Sequence, residues 1–356
     1  MNTIQQFTAL FFMACSLFLI APATSSTSVQ KDSTMINNLF AKTKPQCIGR
    51  YVIDVPESFN NQVHDMIFID DFKIESKRLY PPAFKQRVQL REQELRDAIN
   101  RPENDPENAP FLKEIIPLHD GKGVIFDSNR PSSDDLYRRL EAHVYVNGIS
   151  FIITTDIRDF SSPKYKKRRE EYIKTTTEEQ TNTKPAKLAA LQSLISRLNG
   201  RNDEDIPSAK GVCIPNGFIR DDGFVHNERI TFSFKNDDFI FGIYTNNKYK
   251  GSDDTLFSRT AEIDKTLKLN GQKTIKKYKF SPGGVPAQAW LSGGSQTVEN
   301  NVYPLYEFDL YANEADATPA QPWLNMGMNN YYKKTRYSEA QMIEIWDRLV
   351  NSLRYK

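Results

Sequence analysis

The run Cys47-Ile48-Gly49-Arg50-Tyr51-Val52-Ile53-Asp54-Val55-Pro56 returns in shorter form as Cys213-Ile214-Pro215-Asn216-Gly217-Phe218-Ile219. In both copies a Cys-Ile pair leads to a glycine, then an aromatic and a β-branched residue, the pattern of a turn feeding a short strand. Such a repeat points to two copies of one unit, each opened by its cysteine motif. The closing segments agree, because Leu191, Leu194, Ile195 and Leu198 have the same spacing as Trp346, Leu349, Val350 and Leu353, one apolar face of a helix. Motif, element order and closing stripe recur with a period on the order of 150 residues, the size of one ordinary domain. The 356-residue chain therefore divides into an N-terminal domain over 46–206 and a C-terminal domain over 207–356. The expected class is α+β: two similar domains, each an antiparallel sheet with helices on one face.

Ahead of the first copy, Phe7 to Ile20 is almost wholly apolar and too short for a comfortable span, and Ala21-Pro22-Ala23 forms an A-x-A cleavage pattern. Residues 1–23 read as a secretory signal peptide removed after Ala23. The alternatives are an uncleaved anchor, since no Lys or Arg precedes Phe7, and lipidation of Cys15, against which the apolar run continues past it. Residues 24–45 read as a Ser/Thr-rich flexible leader with at most one helical turn at Met35 to Phe40. Export places the mature chain in an oxidising compartment, where a cysteine pair is more often a disulfide than two thiols. Cys47 and Cys213 are the cysteines that remain, at matching positions, and a disulfide joining the domains is expected. The other reading keeps each thiol as a small buried hydrophobe at its own strand start.

Alternation and turn residues place strands in the first half at 51–55, 66–69, 72–75, 111–118, 123–126, 140–146 and 150–156. A helix is expected from Ala83 to Asn100 behind Pro81-Pro82, a loop over 101–110, and helical sequence from Pro163 until Gly200 stops it. Asp120-Gly121 and Asn147-Gly148 are hairpin-turn dipeptides. The second half predicts strands at 217–219, 229–234, 239–244, 275–280, 286–291, 303–311 and 323–328 and a helix at 253–267. Its last helix starts at Ser338, with Gln341 completing a capping box.

Chemistry is sparse. There is no G-x-S-x-G nucleophile elbow, and Gly293-Gly294-Ser295 reads as a hairpin turn. His64, His119, His143 and His226 are scattered singly without metal-ligand spacing. Asp237-Asp238 and Asp253-Asp254 read as solvated turns rather than an acid/base set. Lys164, Lys166, Lys167, Arg168 and Arg169 read as the wet face of a helix start, although such a run could also touch lipid headgroups. With 47 basic and 45 acidic residues spread along the chain, there is no footprint for nucleic acid. No cofactor motif occurs, and the chain is not expected to be an enzyme.

The first cysteine run behind a signal peptide, the second run Gly211-Val212-Cys213-Ile214-Pro215-Asn216-Gly217-Phe218, and the ending Ile345-Trp346-Asp347-Arg348 through Ser352-Leu353-Arg354 together resemble one family. It is the two-domain periplasmic immunity proteins of type VI secretion systems, which neutralise phospholipase-type effectors. The resemblance implies a periplasmic protein without catalytic residues, whose two α+β domains form a clamp that holds a lipase-type toxin effector and blocks its active site. The membrane enters only if the N-terminal segment is retained or Cys15 is lipidated. On this reading the candidate contacts are loop aromatics, Tyr331 and Tyr332, beside Lys333, since Tyr is favoured at binding surfaces. The plainer reading packs that Tyr pair on the last helix. The competing functions are an envelope hydrolase with a carboxylate site and a structural envelope lipoprotein.

Overall fold

The protein is described from a computed structural model covering residues 34–63 and 66–356. The segment 1–23 expected to be a signal peptide, Cys15, the start of the expected leader and His64 lie outside the described residues. A short helix α1 (34–39) precedes a hairpin of β1 (Thr43–Ile48) and β2 (Tyr51–Pro56). The first half continues with β3 (Ile67–Ile69), β4 (Phe72–Arg78), α2 (Pro81–Arg96), β5 (Leu112–Pro117), β6 (Gly123–Asn129), β7 (Tyr137–Val146) and β8 (Ile149–Arg158). It closes with α3 (Lys166–Ile173), α4 (Lys184–Arg197) and β9 (Leu198–Gly200). The second half opens with the hairpin β10 (Gly211–Ile214) and β11 (Gly217–Arg220), followed by β12 (Glu228–Lys235), β13 (Ile240–Asn246) and α5 (Thr260–Leu269). Then come β14 (Lys273–Phe280), β15 (Ala287–Val298), β16 (Asn301–Ala312), β17 (Trp323–Asn329), α6 (Glu339–Val350) and β18 (Arg354–Tyr355).

Twelve of these strands form one antiparallel sheet in the order β14-β15-β16-β17-β13-β12-β3-β4-β8-β7-β6-β5. Read outward from its middle, each half follows the same path, and the two copies join where Phe68 of β3 lies opposite Arg229 of β12. The duplication is thus a near-twofold arrangement about the β3–β12 seam. Local sequence explains the parts: Asn147 and Gly148 both take positive φ, at 51° and 78°, as a two-residue hairpin turn demands. Ser338 and Gln341 cap α6 reciprocally.

The inner face carries one core shared by both halves, including Ile125, Leu140, Phe151 and Leu194 from the first and Phe232, Phe308, Ile345 and Trp346 from the second. Trp346 is fully buried, its ring edge-on to Phe308 at 6.0 Å. Trp346→Ala should therefore cost about 3–5 kcal/mol, read as a lowered urea midpoint.

Several expectations need correction. The helices do not share one face: α4 and α6 lie on the inner face, while α2 and α5 cover the two ends of the outer face. The cause is visible in β6, where Ile125 turns inward but Val124 and Phe126 turn outward and need Leu95 of α2 as a lid. The leader is not flexible to residue 45, because Ile36 is fully buried in the inner core and Met35, Leu39 and Phe40 pack beside it. Helical sequence after Pro163 breaks into α3 and α4. Leu198 and Leu353, the last members of the two apolar stripes, both lie just beyond their helices. The expected helix from Asp253 begins only at Thr260, after an irregular stretch and a turn over 256–259. Gly293-Gly294-Ser295 is the middle of β15, paired with Tyr306, Leu305 and Pro304. The turn falls instead at Glu299-Asn300, both with positive φ.

The cysteine hairpins are exchanged. Each half's closing strand pairs with the other half's hairpin: Arg354 of β18 lies opposite Val52 of β2, and Gly200 of β9 opposite Gly217 of β11. At the crossing, Cys47 and Cys213 are joined by a disulfide with Cα atoms 5.7 Å apart. Gly49 N–H donates to the Cys213 carbonyl at 2.8 Å, and Cys213 N–H donates back to the Gly49 carbonyl at 2.9 Å.

Candidate binding face

On the outer face, α2 spans β5, β6 and β7, and α5 packs on β14. Between them β8, β4, β3, β12, β13 and β17 form a strip with no helix over it among the described residues. At about 4.8 Å per strand the strip is about 24 Å wide, with the two helices as its walls. Its residues alternate with the buried inner set and are half-buried or exposed: Lys73 and Glu75 on β4, Phe68 on β3, Thr231 and Ser233 on β12, Tyr244 on β13. The guanidinium of Arg229 lies 4.3 Å above the Phe68 ring, across the seam between the halves. Gly242 and Gly327 are paired neighbours that leave the floor low toward α5.

There the strip runs into a cavity of about 660 Å³ between α5 and the sheet, with Ile263 on one wall, Trp290, Glu307, Asp309 and Tyr311 on the floor and Tyr331 at the mouth. Burial, and then the neighbouring Glu307 charge, push the Asp309 carboxyl up to about 7, against a hydrogen bond from Asn325. Burial and a hydrogen bond to Glu307 also raise the Tyr331 hydroxyl. The matching end of the first half is filled. Under α2, Glu141 receives Arg91 at 2.8 Å and the His143 ring at 2.7 Å. Those hydrogen bonds outweigh its burial and hold it down at about 2.

Of the contact candidates, Tyr331 lines this cavity and Tyr332 is 86% exposed with φ of 58°. Neither is packed on α6, which lies behind the opposite face. Lys333 differs, since its ammonium donates to the Asn236 carbonyl. Sequence reasoning missed Glu307 and Asp309. Their signal was Glu307, Asp309 and Tyr311 at alternate positions of one strand, which puts all three on one face.

Among the described residues the remaining histidines are not arranged with a nucleophile. His143 is bound to Glu141, and His226 sits between Asp70 at 2.7 Å and Asp222 at 3.1 Å without a nucleophile on it. Among the described residues no group of three or more His, Cys, Asp or Glu is arranged to hold a metal ion.

A duplicated α+β unit with one long sheet, an open face and two flanking helices defines a two-lobed binding protein. The sequence models of Tle cognate immunity protein 4 match it twice in order, the N-terminal domain over 44–201 and the C-terminal domain over 205–356. The chain belongs to that family. Its fold is similar to the apo structure of immunity protein TplEi of the type VI secretion system from Pseudomonas aeruginosa, with TM-score 0.65 and 18% identity over 88% of this chain and 97% of that one. It is equally similar to a chain in the crystal structure of the Tle4-Tli4 complex, with TM-score 0.65 and 18% identity over 88% and 98%. TplEi complexed with the "L" peptide matches at TM-score 0.62, again with 18% identity over 88% and 98%. No curated protein matches the chain by sequence.

Proposed function

We propose that this immunity protein binds a cognate Tle-type phospholipase effector in the periplasm and blocks access to its active site by occlusion, without chemistry of its own. The observation that carries the reading is the match of both immunity-protein domains, in order, across 44–201 and 205–356. The halves 46–206 and 207–356 act as the two arms of a clamp, and the strip between α2 and α5 supplies an open surface for the effector. A complex of ordinary inhibitor size, on the order of 800 Å² per partner, fits such a strip. The purified protein should abolish effector hydrolysis of phospholipid vesicles at one-to-one stoichiometry. Undiminished turnover in its presence would refute the reading. Export follows from the N-terminal segment: the mature chain should begin at or near Thr24, and a start at an acylated Cys15 would replace the soluble form with an anchored one.

Tyr331 and Tyr332 belong to this surface in the same reading. Replacing both with Ala should weaken effector binding about tenfold or more, as expected for aromatic anchors at an interface. Calorimetry that finds unchanged affinity would remove them from it.

A further inference from the structure

The two ends of the outer face balance their acids differently. Glu141 has Arg91 of α2 as a resident cation. Under α5, Glu307 and Asp309 face the cavity, and no ion pair reaches either among the described residues. Arg259, just before α5, is turned to Glu314 at 3.1 Å and Asp254 at 3.2 Å and lies 5.8 Å from the Tyr311 ring, and Lys277 of β14 lies 4.5 Å over the Trp290 ring, but neither forms an ion pair with Glu307 or Asp309. The cavity thus offers two half-buried carboxylates, walled by the rings of Trp290, Tyr311 and Tyr331 and by Ile263. Apolar and aromatic walls suit a long aliphatic stem and also attract a cation to the ring faces. The mouth at Tyr331 opens beside the strip where a partner protein docks.

Resting on the reading that an effector docks on this face, we propose that the cavity receives one Lys or Arg side chain of that effector, its stem along Trp290 and Ile263 and its cation between Glu307 and Asp309. In the free protein the site is held at a cost, because an ionised Asp309 is half-buried beside Glu307 with no ion-pair partner among the described residues. Binding supplies that charge. A residue of this kind stabilises the complex while destabilising the free chain.

Asp309→Asn separates the two effects. The groups around Asp309 are Glu307 and Tyr311 on its own strand, Arg259 just before α5, Glu262 on α5, Tyr331 beyond β17, and Lys277 of β14 over the Trp290 ring. A carboxyl raised in the fold costs stability once pH rises through the window from its unfolded value of 3.8 to about 7. The variant should therefore melt higher than wild type at pH 8 and nearly the same at pH 4. Its affinity for the purified cognate phospholipase effector should fall at least tenfold at pH 8. A double-mutant cycle against single Lys→Met and Arg→Met variants of the effector should find one basic residue whose loss is non-additive with Asp309→Asn. Wild-type affinity in the variant, or additivity with every basic residue, overturns the inference while leaving the effector reading intact. Failure of wild type itself to bind the effector ends both.

Discussion

Either half of this chain expressed alone is expected not to fold, whereas the two co-expressed halves are expected to assemble one-to-one. The reason is the exchange of hairpins. Residues 34–205 without the rest would keep β1 and β2 but lose the surface they pack on. Tyr51 would lose the stacked ring of Tyr355 at 5.5 Å and its hydrogen bonds to Asn313 and the Pro322 carbonyl. Asp54 would lose Ser352 and Arg354, at 2.9 and 3.0 Å. Conversely, the first sheet would lose the second hairpin, whose Pro215 carbonyl accepts from Ser76 at 2.7 Å and whose Gly217 packs on Phe151. Tyr51, Ile53 and Val55 are all buried. At about 1.5–3 kcal/mol per large apolar side chain, exposing just these three removes a large part of the 5–15 kcal/mol that usually holds a domain. Size-exclusion chromatography with circular dichroism of each half and of the pair tests this. A soluble, cooperatively melting half would show that the exchange is decoration.

How far this was legible follows from what is local. The cysteine motif and the order of strands and helices could be read because each element carries its own pattern, as Ile149, Phe151 and Ile153 do on β8. The exchange could not, since the pairing of Arg354 with Val52 joins the two ends of the chain and leaves no mark on either neighbourhood. Likewise the run Val124-Ile125-Phe126 announces a strand with two buried faces but does not say which helix covers which. The leader failed for a related reason: three apolar residues in α1, with Phe40 just after it, are too few to signal a helix alone, yet enough to dock on a finished core.

The candidate face was partly legible for the same physical cause. Tyr331 and Tyr332 stand out as aromatics in a polar loop, and the fold sets Tyr331 at the cavity mouth. Glu307 and Asp309 look like the wet side of a half-buried strand. Only α5, folding back over the sheet, turns that side into a cavity where a carboxylate without a cation matters.

Arg50→Ala should be among the most destabilising single changes, at about 3–5 kcal/mol near neutral pH. Arg50 sits in the turn of the first hairpin and reaches into the second half, with its guanidinium on Asp221 at 2.9 Å and Glu228 at 2.6 Å. Burial works against its charge, but the hydrogen bonds to Asp221 and Glu228 outweigh that and hold it firmly protonated. Glu228 is 3% exposed and opens β12, the strand at the seam. Burial raises its carboxyl even with Arg50 opposing the shift. Without Arg50, an ionised Glu228 would have lost its principal countercharge, so its folded pKa would rise further above the unfolded value of 4.5. The native state would then bind more protons than the unfolded one, and the variant's deficit would grow as pH rises above that value. Below it both states are protonated at this site and most of the deficit should vanish. Urea unfolding of wild type and Arg50→Ala at pH 4 and pH 7.5 measures the difference directly. Adding Glu228→Gln to the variant should recover most of the loss at pH 7.5, because a neutral amide in that place needs no countercharge. An equal deficit at both pH values, or no recovery in the double variant, would mean that Arg50 holds the halves together through packing of its stem and not through the charge it carries to Glu228.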